Sequence, residues 1–222
     1  MVGNTGELKS NCCEGTKYEG HLGFWQGNLP DGTTIAPIII SSDKTQLSVF
    51  QGDKSAWPVY LTIGNISKEV RHQPSSHATI LLGYLPVAKL ECFKDSTRSL
   101  AGYQLFHYCM SKILTVLAKS GKDGVEITCG DGYIRIFYLI LAAYVADFPE
   151  QCLVGCCMEN RCPKCLTKPD DRGNYVNSLY RDQKMTLHIL EEHRKGGDPV
   201  RFDQDGIRAV YDPFWCYDFG RL

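Results

Sequence analysis

The chain is 222 residues long, 43% hydrophobic and 22% charged, with a formal net charge of −1. These values describe a core-forming globular chain, one ordinary domain or one with an inserted subdomain, and argue against disorder and against a globally basic nucleic-acid coat. A local basic patch stays compatible with them, because attraction to phosphate needs only local positive charge.

The longest apolar run, 136–146, falls short of the roughly 18–20 residues of a membrane span. The N-terminus, MVGNTGELKSNCC, lacks the basic-then-apolar layout of a secretory signal, so the chain reads as intracellular. Eleven cysteines exclude a fully paired disulfide framework within the chain. Six of them lie between Cys129 and Cys165, and in a reducing compartment metal binding is the better explanation for such a cluster.

Residues 1–28 show no periodicity and read as a poorly ordered leader. Leu29-Pro30-Asp31-Gly32 is a turn signal, and a first strand is expected over 34–42. β-branched and aromatic runs predict a second strand over 57–66 and a third over 78–87. Their short connections favour an antiparallel meander, since a parallel neighbour needs a long crossover. That crossover is expected as a helix over 95–120, capped by Asp95 or Ser96, whose apolar face is Tyr103, Phe106, Met110, Ile113, Leu114 and Leu117. His107 and Cys109 on it read as packing residues.

Runs at 125–129 and 133–137 flank Gly130-Asp131-Gly132 as a hairpin. The run 139–146 is taken as the fourth core strand, followed by a helix with Pro149 in its first turn. The fold class expected is α/β: a ribonuclease H-like mixed sheet built from an antiparallel three-strand meander, a helix and a parallel strand. Its core is expected over 29–157; that 158–222 is a zinc-binding insertion and truncated tail, with the fold incomplete at the C-terminus, is what the family resemblance given below implies. The stretch 198–222 predicts no recognisable element.

Two strands, APIIISSD (36–43) and LILAAYVAD (139–147), end on an aspartate. Side chains converge outside the carboxyl ends of strands in an open α/β sheet, which makes Asp43 and Asp147 the first functional candidates. A hard divalent cation relieves the repulsion of two such carboxylates, and metal-assisted phosphoryl transfer is the chemistry that fits. The competing reading is an ordinary turn or helix-cap aspartate.

Cys162-Pro163-Lys164-Cys165 has the spacing of two thiolates on one tetrahedral zinc, and His188 and His193 form an H-x4-H downstream. Residues five apart on a helix differ by about 140°, so a helix end must unwind for both histidines to bind. Cys156 or Cys157 is an alternative to either histidine, and a redox dithiol is an alternative for the C-x-x-C. Glu191 and Glu192 read as an exposed helical face. Lys44, Lys54, Arg161, Lys164, Arg194 and Lys195 are candidates for nucleic-acid contact, with a solvated surface as the default for each.

The stretch LPDGTTIAPIIISSDKT, the strand Trp57-Pro58-Val59, RSLAGYQLFHYCM, and LAAYVADFPEQCLVGCCMENRCPKC, in this order over about 29–213, resemble the Plavaka group of DNA transposases from mushroom-forming fungi. That group is similar to the wider CACTA-type superfamily. The resemblance implies a DDE/D core that cuts transposon ends and joins them to target DNA with two Mg2+ (or Mn2+) ions. Asp43 matches the first acid and Asp147 the second. It also implies a Zn2+ insertion at Cys162, Cys165, His188 and His193, DNA as partner with a full-length transposase as a further one, a nuclear setting and no membrane. The third acid is expected beyond Leu222. Two functions are therefore expected as alternatives: a strand-transfer enzyme, or a non-catalytic zinc-containing remnant that binds DNA or a full-length relative. For this polypeptide the remnant is preferred for activity and the transposase for ancestry.

Overall fold

The computed structural model describes residues 29–30, 32–47, 54–174 and 177–216. The expected leader, 1–28, lies outside them. The sheet is built around β1 (Thr34–Ser42), whose Ile38 and Ile40 are almost wholly buried. β4 (Pro58–Ile63) pairs antiparallel with β1, and β5 (Thr79–Tyr84) antiparallel with β4. On the other side of β1 lies β7 (Ile134–Val145), running parallel to it and followed outward by β6 (Val125–Thr128). The five strands stand in the order β5-β4-β1-β7-β6. The expected meander, crossover and parallel strand are thus present in a mixed α/β sheet. The short strands β2 (Thr45–Gln46) and β3 (Ser55–Ala56) form a separate two-stranded ladder.

Two local expectations need correcting. The hairpin's second arm and the fourth core strand are one uninterrupted strand, β7, because no Gly or Pro stands between Ile134 and Val145 to break it. Lys94, not Asp95 or Ser96, occupies the cap of the long helix, and Asp95 instead pairs with Arg98 at 2.7 Å in the first turn.

A one-turn helix, α1 (Lys68–Arg71), precedes β5, and the long helix is α2 (Asp95–Asp123). Phe106, Met110 and Leu114 recur at three-to-four spacing and bury one face of α2 against Ile38, Ile40, Val59, Leu85 and Leu153. Tyr103, Ile113 and Leu117 flank that stripe, half-buried. α2 ends at Gly124, where φ is 72° and an added Cβ would stand 2.8 Å from Ile136 Cγ2. Only glycine lets the helix turn back so close to β7.

After β7 come α3 (Phe148–Val154), α4 (Gln183–Arg194) and α5 (Val200–Gln204). The last described residues are not featureless, contrary to the reading of 198–222. Beyond α5, Phe214 opens a 3-10 turn and is fully buried in the sheet's own core, its ring 6.1 Å from Phe106 and 6.0 Å from Tyr144. Mixed apolar and turn residues carry no period, so a single buried aromatic of this kind leaves no pattern to read.

His107 explains how that tail is held. Fully buried on α2, its Nε2 donates to Leu153 O at 2.9 Å, and its Nδ1 accepts from the Phe214 N–H at 3.3 Å. Both ring nitrogens are satisfied only in the neutral form, and burial, opposed by the Leu153 bond and aided by Arg208, pulls its pKa down to about 4. The unfolded chain then takes up this proton before the folded one does. Stability contributed by the neutral ring is full above about pH 6.5 and is lost as pH falls towards 4, by about 3 kcal/mol in all. Urea denaturation at pH 7, 5.5 and 4 is expected to show that slope, and His107→Gln to flatten it.

Candidate active site

β1 and β7, the strands that precede the two candidate acids, pair in parallel across a bulge. From Thr34 to Ile38 the pairing runs Ile38 opposite Leu141, but Ile39 then faces Ala143, so β7 carries one extra residue. After the bulge Ser41 faces Val145, and two residues further along both chains stand Asp43 and Asp147. Without it Asp43 would stand level with Ala146. Neighbouring strands lie about 4.8 Å apart, and this register, continued past the strand ends at Ser42 and Val145, would bring the two aspartates level with each other.

Both are exposed, and each makes a local bond. Asp43 Oδ2 accepts from Thr45 Oγ1 at 3.2 Å. Asp147 caps α3, its Oδ1 accepting from the Glu150 N–H at 2.9 Å. The helix-cap reading therefore applies to Asp147, and it does not compete with ion binding, because a carboxylate can serve a backbone N–H and a cation with different lone pairs. Exposed carboxylate oxygens beside a sheet edge suit a hard divalent cation that keeps several of its waters.

Beneath the pair lies a residue that the sequence reading missed. Glu150, 6% exposed, sits on the first turn of α3 with its carboxylate turned inward. It accepts from Ser42 Oγ, from Tyr144 OH at 3.1 Å and from Trp57 Nε1 at 3.2 Å, and Ser42 Oγ lies 2.5 Å from Tyr144 OH. One carboxylate thus joins the ends of β1 and β7 to the strand edge before β4. Burial pushes the Glu150 carboxyl up, the three donors oppose this, and burial followed by the Glu150 charge pushes the Tyr144 phenol up. The signal was present as Asp147-x-x-Glu150, the spacing of a capping box, but that motif predicts a glutamate reaching back to the cap rather than into the core. Glu150→Ala leaves buried Ser42 and half-buried Tyr144 and Trp57 without their acceptor and is expected to cost roughly 2–3 kcal/mol of stability, with Glu150→Gln costing less, as read by urea denaturation.

The cysteine and histidine constellation is not brought together. Cys162 and Cys165 are buried with their thiols in contact, and Cys165 Sγ lies 3.0 Å from Thr167 Oγ1. His188, exposed, pairs with Glu192 at 3.5 Å. His193 instead stacks on Phe202, centroids 4.0 Å apart, with its Nδ1 3.0 Å from Tyr211 OH. The helix α4 stays wound through both histidines, and among the described residues no group of three or more His, Cys, Asp or Glu is placed to hold a metal ion. A structural zinc takes four donors, and two thiolates do not complete such a set. Of the two alternatives considered, Cys156 Sγ lies 3.7 Å from His107 Nε2, and Cys157 pairs with Cys152, whose hydrogen bond lowers its pKa with help from Arg181, Arg208 and Arg161.

What braces this region is hydrogen bonding. Arg181 Nε donates to Cys162 O at 2.7 Å and its Nη2 to Asp205 O at 2.6 Å, while buried Arg208 lies 4.1 Å over Tyr103 and 3.1 Å from Glu159. Of the basic candidates, Lys195 pairs with Glu191 at 3.2 Å and Arg194 with Asp212 at 3.9 Å. Glu191 and Glu192 are exposed, as expected. Lys44, next to Asp43, holds its ammonium 5.8 Å from the Trp57 ring. Among the described residues no helix is long and apolar enough to cross a membrane.

The sequence model of one protein family, described as Plavaka transposase, matches residues 19–221 of the chain. No curated protein matches it.

Proposed function

The chain belongs to the Plavaka transposase family, and from that premise we propose that its sheet is a ribonuclease H-like core whose Asp43 and Asp147 carry metal-dependent phosphoryl transfer on DNA. The observation that supports this most is the parallel register of β1 and β7, in which a bulge that leaves Ala142 unpaired sets Ser41 opposite Val145, each two residues before one of the aspartates. The family's description makes DNA the partner expected of it.

The residues divide the work as follows. Asp43 and Asp147 would hold the cation, Mg2+ or Mn2+. When bound, such an ion stabilises charge on the phosphoryl oxygens and lowers the pKa of an attacking water. The Asp147 bond to the first turn of α3 fixes its carboxylate. Glu150 fixes the strand ends beneath both acids, so that the pair is presented on a rigid edge rather than on a mobile loop. Lys44, the next residue after Asp43, supplies a positive charge for the DNA backbone.

The zinc brace expected from the C-x-x-C is not carried forward, since His193 packs on Phe202 and bonds Tyr211 while exposed His188 pairs with Glu192. Strand cleavage of a labelled duplex in Mg2+ or Mn2+, comparing the chain with its Asp43→Ala, Asp147→Asn form, tests the proposal. Metal-dependent nicking present only in the parent chain supports it. Equal background in both, with DNA binding retained, assigns the chain to the non-catalytic DNA-binding reading. Binding itself is expected to weaken steeply between 50 and 200 mM salt, the range over which phosphate contacts are typically lost.

A further inference from the structure

The two edges of the sheet are built differently. β6 is only four residues long and carries exposed Glu126, and shortness and charge both discourage pairing with a further strand. β5, at the opposite edge, is six residues long, and no residue over 78–88 is charged. Among the described residues no strand pairs with its outer side, and Ile80, Leu81 and Tyr84 on it are exposed. Such an edge presents a row of backbone N–H and C=O groups that another extended chain can satisfy. We propose that β5 pairs antiparallel with β5 of a second copy of this chain, about a two-fold axis at Ile80, and joins the two sheets into one.

The register with β4 places the axis. Val59 stands opposite Gly83 but Tyr60 opposite Leu81, so Leu82 is an extra residue and the edge is regular over Thr79–Leu81. A two-fold at the middle of that run sets Ile80 opposite its own copy and Thr79 opposite the copy's Leu81. Leu61, the β4 neighbour of Ile80, packs into the core under α2, whereas Ile80 on the same face is 53% exposed. Tyr60 and Leu81 form an exposed cross-strand pair on the other face. Both faces of the edge therefore offer apolar side chains for a copy to cover.

Charge selects the second copy over an unrelated strand. Symmetric pairing places each residue near its own kind, so it demands a run with no charge at the axis, and this run has none. A partner strand recognised by its charges would find nothing here to pair with. β5 runs parallel to β1, because each is antiparallel to β4. The strand ends that lead to Asp43 and Asp147 in the two copies then point to opposite ends of the joint sheet, so the pairing covers neither candidate site and does not rest on the catalytic reading. A contact of one short strand is small, which makes the dimer weak and dependent on concentration.

Sedimentation velocity of the full chain tests this. The parent is expected to be dimeric at about 100 µM and monomeric at about 1 µM, with amide exchange over 79–81 slowed in the dimer. Ile80→Lys and Ile80→Glu each set like charges face to face at the axis and are expected to weaken the dimer at least about tenfold. An equimolar mixture of the two variants is expected to dimerise again, which a misfolded variant could not do. Ile134→Lys, a change at an exposed isoleucine of β7, is the control and is expected to dimerise like the parent. A parent that stays monomeric throughout overturns the proposal and leaves the edge to a strand of another protein or to solvent. Dimers that persist in both Ile80 variants, no recovery on mixing, or equal loss in Ile134→Lys overturn it as well.

Discussion

Asp147→Asn is expected to leave the protein folded and to lower metal-dependent strand cleavage on the order of a thousandfold, the scale of removing one charge-stabilising group from a reacting phosphate. The substitution separates the observed cap role of the aspartate from the metal-ligand role proposed for it. As the cap of α3 it accepts the Glu150 N–H at 2.9 Å, and asparagine caps helices as well as aspartate does. As a metal ligand it needs the negative charge that asparagine lacks. Asp147→Ala removes both, so it is expected to cost about 1 kcal/mol of stability in addition to the activity. Thermal melts alongside cleavage rates of the two variants distinguish the roles. An Asp147→Asn form with parent activity would leave Asp147 as a cap and nothing more.

Phe214→Ala is expected to destabilise the protein by about 3–5 kcal/mol, the range for deleting a fully buried aromatic side chain. Its ring packs edge-on against Phe106 and beside His107 and Tyr144, and its N–H is held by His107 Nδ1. The loss would therefore open the core directly behind Glu150 and the strand ends that carry the acids. Urea denaturation at pH 7 reads the change. A loss below about 1 kcal/mol would show that the tail rests on the surface of the sheet rather than belonging to its core.

The sheet was legible wherever the physics is local and periodic. β1 could be read from a β-branched run ending in polar residues, and α2 from an apolar stripe at helical spacing, because burial of one face leaves that trace in any sequence. Asp43 and Asp147 could be picked as strand-end acids for the same reason. The register of the strands that lead to them could not, since it depends on an extra residue in β7 that no alternation of side chains announces. Glu150 escaped because a buried carboxylate looks, in sequence, like a helix-start glutamate, and only the donors from Ser42, Tyr144 and Trp57 on three other segments make its burial tolerable. The histidines misled for a related reason. His188 and His193 have ligand spacing, but ring stacking on Phe202 and a bond to Tyr211 already satisfy His193, and such partners lie beyond the reach of a motif.

The most direct test of the account is a titration of Mn2+ into the chain, followed by electron paramagnetic resonance and calorimetry, in parallel with Asp43→Asn and Asp147→Asn forms. A saturable Mn2+ site in the parent chain, weakened in each single variant and absent in the double one, is the predicted result. Uptake of Mn2+ that is the same in all four proteins, or absent from the parent, would contradict it.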